Sequence, residues 1–81
     1  MKRTLASFVQ RYKDKCSFIV CEFKGDEHIR NTLQNFGIMP CKEIAAIRKY
    51  SDSIVLSIAE LNITVAIGLP IAEMLVVRLK V

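Results

Sequence analysis

Two rhythms of apolar positions divide this chain. Between Asp26 and Phe36, the residues Ile29, Leu33 and Phe36 recur at i, i+4 and i+7, the spacing that places side chains on one face of a helix. Asp26 and Glu27 stand at its start, where the positive end of the helix dipole favours carboxylates and Asp26 can serve as N-cap. Gly37 and Pro40 follow. Glycine takes the left-handed conformation that closes a helix, and proline cannot donate the hydrogen bond that a continuing helix needs. One short helix over 26–36 is therefore predicted, packed as a lid.

Elsewhere the period is two, the period of a strand. Ser17 to Phe23 reads as the first strand, with Phe18 and Val20 on one face and Ile19, Cys21 and Phe23 on the other. Further strands are predicted at Glu43 to Lys49, Ser53 to Ala59, Asn62 to Ile67 and Leu75 to Lys80. Tyr50 to Asp52 and Glu60 to Leu61 have hairpin-turn length, so the second, third and fourth strands form an antiparallel meander. Ile54, Leu56 and Ile58 point inward, as do Ile63, Val65 and Ile67, and then Leu75, Val77 and Leu79. Gly68 to Met74, with Pro70 at its first position, reads as a short helical turn. Leu5, Phe8, Val9 and Tyr12 have helical spacing and predict a short amphipathic segment, within residues 1–15, that docks on the strands.

The predicted fold class is therefore mainly β. About five antiparallel strands in so short a chain close into a small SH3-like barrel, with one short helix after the first strand and a helical turn before the last.

Composition narrows the possibilities. The chain has 81 residues with 52% hydrophobic content, and a domain of this size buries only about 60% of the surface exposed by its unfolded chain. Nearly every large apolar residue is thus committed to one core, and residues 1–81 read as a single domain with no room for an internal active-site cavity. The longest apolar run, Ile63 to Ala72, contains Thr64, Gly68 and Pro70, and it falls short of the roughly 18 residues needed to span a bilayer. Three cysteines, Cys16, Cys21 and Cys41, with no secretory signal ahead of them, are expected as reduced thiols in a cytoplasmic setting. The formal charge of +4 is concentrated in residues 1–24, which read either as a basic arm that meets an acidic protein, an anionic lipid surface or nucleic acid, or as a solvated surface.

Candidate chemistry is sparse. His28 is the only histidine and has no nucleophile beside it in sequence. Gly25, Gly37 and Gly68 stand alone, without a phosphate-cradling motif. Cys16, Cys21, His28 and Cys41 would supply a three-sulfur, one-nitrogen zinc set, but their spacing matches no recurrent zinc pattern. No catalytic residue, cofactor or metal ligand set is expected.

The order of elements resembles the FeoA family, small cytosolic partners of the bacterial ferrous-iron permease FeoB. The resemblance runs from Cys16 to Val81. It lies in Ile19-Val20-Cys21-Glu22-Phe23, the helix end Leu33-Gln34-Asn35-Phe36-Gly37-Ile38-Met39-Pro40, the strand Ile54-Val55-Leu56-Ser57-Ile58, Val65-Ala66-Ile67, and Ala72-Glu73-Met74-Leu75-Val76-Val77. The family commonly has glycine after the junction proline, where this chain has Cys41. It also has glycine at the tip between the third and fourth strands, where this chain has Glu60-Leu61-Asn62. The resemblance implies an accessory module of ferrous iron transport, without catalytic residues, that binds the cytosolic side of a FeoB-type permease. Ile38, Met39 and Leu69 are the expected exposed partner-binding residues. A small basic β-barrel that binds nucleic acid or accompanies a repressor is the alternative, although Phe18, Phe23 and Tyr50 are too scattered to form a stacking platform. Weak self-association, through an unclosed strand edge or the Phe8/Tyr12 stripe, is a further expectation.

Overall fold

A computed structural model describes residues 2–11 and 16–80. The elements run β1 (Lys2–Thr4), α1 (Leu5–Arg11), β2 (Cys16–Phe23), α2 (Glu27–Asn35), β3 (Glu43–Lys49), β4 (Ser53–Ile58), β5 (Ile63–Gly68), α3 (Leu69–Ala72) and β6 (Leu75–Leu79). The strands form one antiparallel sheet in the order β1-β6-β2-β3-β4-β5. The fold is mainly β and SH3-like.

The core follows the alternation read from the sequence on β4 and β6: Ile54, Leu56, Ile58, Leu75 and Val77 are fully buried. Leu5 and Phe8 of α1 join them, and the Phe8 ring lies 5.3 Å from that of Phe18, centroid to centroid. Tyr12, placed on the same amphipathic stripe by the sequence, lies outside the described residues. Burying Leu5 and Phe8 relative to water contributes about 1.5–3 kcal/mol each, which is what holds a seven-residue helix that would not form alone.

The structure departs from the sequence reading at four places. A sixth strand, β1, lies outside β6, with Arg3 opposite Val77; the N-terminal charges Lys2 and Arg3 thus belong to a sheet edge rather than to an arm. In β2, Phe23 is buried on the same side as Phe18 and Val20, not opposite them. The cause is a β-bulge at Cys21: Val20 pairs with Val77 but Glu22 pairs with Val76. One extra residue in a strand turns every later side chain to the other face. Ile63, at the start of the edge strand β5, is 38% exposed rather than buried. Phe36 is 40% exposed, because α2 stops at Asn35 and Phe36, its C-cap, has left the helical face.

Candidate functional site

The site grows from the two ends of α2. At its start the Asp26 carboxylate accepts a hydrogen bond from the Ile29 N–H at 2.9 Å, satisfying one of the donors that an unfinished helix leaves open. At its end the Gly37 N–H donates to the Gln34 carbonyl and the Ile38 N–H to the Leu33 carbonyl, both at 2.9 Å, with Gly37 at φ 85°. This is a Schellman closure, which pairs the apolar side chains three residues before and two after the cap. Here those residues are Leu33 and Ile38, and both are buried.

Ile38 is therefore not the exposed contact residue expected from the sequence. At 3% exposure it belongs to the core, drawn in by the helix closure itself. Met39 beside it is half-buried. Leu69 is half-buried too, but it opens α3, which packs on β4, β5 and α1.

The chain then turns at Met39–Lys42, where the Lys42 N–H donates to the Met39 carbonyl at 3.1 Å. Pro40 holds the second position and Cys41, at φ 74°, the third. Proline at the second position and positive φ at the third define a type II turn, whose third position favours glycine. The turn is stitched to β2: Cys41 N–H donates to the Val20 carbonyl at 2.8 Å, and Val20 N–H to the Lys42 carbonyl at 2.9 Å. Asn62, in the hairpin between β4 and β5, also has positive φ, 54°.

Between α2, this turn and the sheet lies a cleft of about 260 Å³ lined by Val20, Glu22, Phe23, Arg30, Leu33, Gln34, Ile38, Met39, Pro40 and Leu75. Arg30 straps the helix over it. Its Nη2 donates to the carbonyls of Phe23 at 3.0 Å and Gly25 at 3.3 Å. A Cβ at Gly25 would collide with the Phe23 ring, which would have to shift to admit one. The sequence reading named Ile38 and Met39 among these lining residues but not Arg30 or Gln34, polar helix positions that no apolar periodicity marks. Leu69 does not line this cleft.

Seven of the ten lining residues are apolar, and the others bring one guanidinium, one carboxylate and one amide. His28 is exposed on α2; Cys16 and Cys21 are half-buried, and Cys41 is exposed. Among the described residues no three His, Cys, Asp or Glu side chains converge on a point that could hold a metal ion. No described helix is long and apolar enough to cross a membrane.

No family model matches the sequence, and neither does any curated protein. Solved structures do match the fold. The crystal structure of the iron uptake regulatory protein FeoA is similar over 99% of this chain and 100% of that one, with a TM-score of 0.81 and 22% identity. The FeoA protein from Chlorobium tepidum matches with a TM-score of 0.81 and 15% identity, over 96% of this chain and 70% of its own. A manganese-dependent transcriptional repressor in complex with manganese also reaches a TM-score of 0.81, at 18% identity. The match covers 98% of this chain but only 37% of that one. These likenesses define a class: the small SH3-like domain. Within that class, the chain has the FeoA-like fold.

Proposed function

We propose that this protein is an accessory module of ferrous iron uptake that acts by binding, without catalysis, to the cytosolic side of a FeoB-type permease. The carrying observation is the end-to-end match to an iron uptake regulatory protein, 99% of one chain on 100% of the other. The docking surface in this reading is the cleft under α2, with half-buried Met39 and exposed Pro40 at its junction. The type II turn and the Arg30 strap fix that surface in advance, so little ordering entropy opposes association. The lysines and arginines that give the chain its +4 charge favour approach to an acidic partner face.

The test is retention of detergent-solubilised FeoB-type permease by the immobilised protein, wild type against Met39→Glu. Retention by wild type and its loss in a variant of unchanged melting temperature is the expected result. Failure of the wild type to retain the permease refutes the reading. The manganese-dependent repressor likeness supports a second reading, a domain that accompanies a metal-dependent repressor; retention of purified repressor but not permease would establish it in place of the first.

A further inference from the structure

The two edges of the sheet are built differently. One edge is β1, three residues long and carrying Lys2 and Arg3. The other is β5, Ile-Thr-Val-Ala-Ile-Gly over Ile63–Gly68, six residues without charge, proline or bulge. Among the described residues β5 pairs with β4 alone. An edge strand presents a row of unused N–H and C=O groups, and proteins that remain monomeric blunt such edges with charge, proline, bulges or brevity. β1 carries two of those devices and β5 none.

Charge also selects the occupant. Four strands bear charged residues: Lys2 and Arg3 on β1, Glu22 on β2, Glu43, Arg48 and Lys49 on β3, Arg78 on β6. The β4–β5 hairpin strands, Ser-Ile-Val-Leu-Ser-Ile and Ile-Thr-Val-Ala-Ile-Gly, bear none. For a chain of net charge +4, this is the edge along which a second copy can approach without setting like charges side by side. Two apolar side chains flank it uncovered, Ile63 at 38% and Leu61 at 49% exposure.

We propose that β5 pairs antiparallel with β5 of a second copy, giving a two-fold dimer whose sheet runs continuously through both molecules. The register follows from geometry. A two-fold axis perpendicular to the sheet keeps core faces on one side, so paired positions must have the same parity, as in any antiparallel ladder. Only a centre on a residue satisfies this. The centre that pairs the whole alternating segment is Val65, which sets Ile63 opposite the partner's Ile67 on the core side and Thr64 opposite the partner's Ala66 outside. Exposed Ile63 is then covered by an apolar residue, and the interface is isologous, as a closed two-fold dimer requires.

One strand pair is a small interface, so the dimer belongs in the range of about 10–100 µM, the weak end for specific complexes. Sedimentation velocity of the full chain across that range is expected to show a monomer–dimer equilibrium. The double substitution Thr64→Lys with Ala66→Lys places lysines opposite lysines on the outer face, where Thr64 and Ala66 are exposed and outside the core. It is expected to weaken the dimer at least tenfold, roughly the cost of facing like charges, with far-UV circular dichroism and melting temperature unchanged. Mixed isotope labelling is expected to give intermolecular contacts between Thr64 and Ala66. A monomer throughout the concentration range, or a dimer indifferent to the paired lysines, overturns the proposal.

Discussion

Replacing Cys41 with glycine should make the protein more stable, although it removes a side chain and adds chain freedom. Cys41 holds φ 74° in the type II turn between α2 and β3. For a residue with a Cβ, the left-handed region costs roughly 1–2 kcal/mol. Glycine escapes that cost in the folded state but returns about 0.4–1 kcal/mol of entropy to the unfolded chain. The cysteine side chain is exposed, so little burial is lost with it. The difference is a net gain centred on about 0.8 kcal/mol, worth roughly 3–6 °C in melting temperature for a domain of this size. Cys41→Ala is the control: it removes the sulfur and keeps the Cβ, and it should stay within about 0.5 kcal/mol of wild type, as exposed substitutions do. Urea unfolding with a common m-value for the three proteins reads the difference directly. A glycine variant no more stable than the alanine variant would refute the claim that the turn is strained.

Three further outcomes test the surroundings of α2. Asp26→Ala removes the acceptor for the Ile29 N–H and should cost about 1 kcal/mol by urea unfolding, the usual value of an N-cap; an effect near zero would mean the cap is not formed in solution. Leu33→Ala empties a buried position beneath the helix and should cost about 2–5 kcal/mol, read as a lower denaturation midpoint; a loss under about 1 kcal/mol would place Leu33 outside the core. Gly37→Ala meets both a φ of 85° and neighbours at 3.1 Å, the Ile58 Cγ2 and Leu61 Cδ1 atoms. It should destabilise by at least about 1–2 kcal/mol, and a neutral result would contradict the Schellman closure.

Helix α2 was legible in the sequence because its signals are local: an N-cap, an apolar stripe and a glycine stop all lie within a dozen positions. The alternating strands β4 and β6 were legible for a similar reason, since one buried face imposes a period of two. What escaped was non-local. The bulge at Cys21 is a feature of the register between β2 and β6, and its effect on Phe23 cannot be read from β2 alone. β1 is a strand by virtue of Arg78, Val77 and Val76 across from it; three residues with two cations give no signal of their own. At the candidate site the junction was visible as Gly37 and Pro40, but the closure that buries Ile38 and the strap from Arg30 depend on backbone carbonyls that carry no sequence mark.

The sheet order has a consequence for synthesis. β6 lies between β1 and β2, so a strand from late in the chain fills the gap between two early ones. On a ribosome adding roughly 5–20 residues per second, the partner of Arg3 at Val77 is made about 4–15 s afterwards. Until then β1 has no neighbour and one side of β2 stands open. From β2 onward the sheet can grow in chain order, β2-β3-β4-β5, but β1 joins it only when β6 fills the gap between them. Loss of β6 would therefore leave β1 detached from a four-stranded β2-β3-β4-β5 sheet with one side of β2 open, rather than a shortened version of the fold.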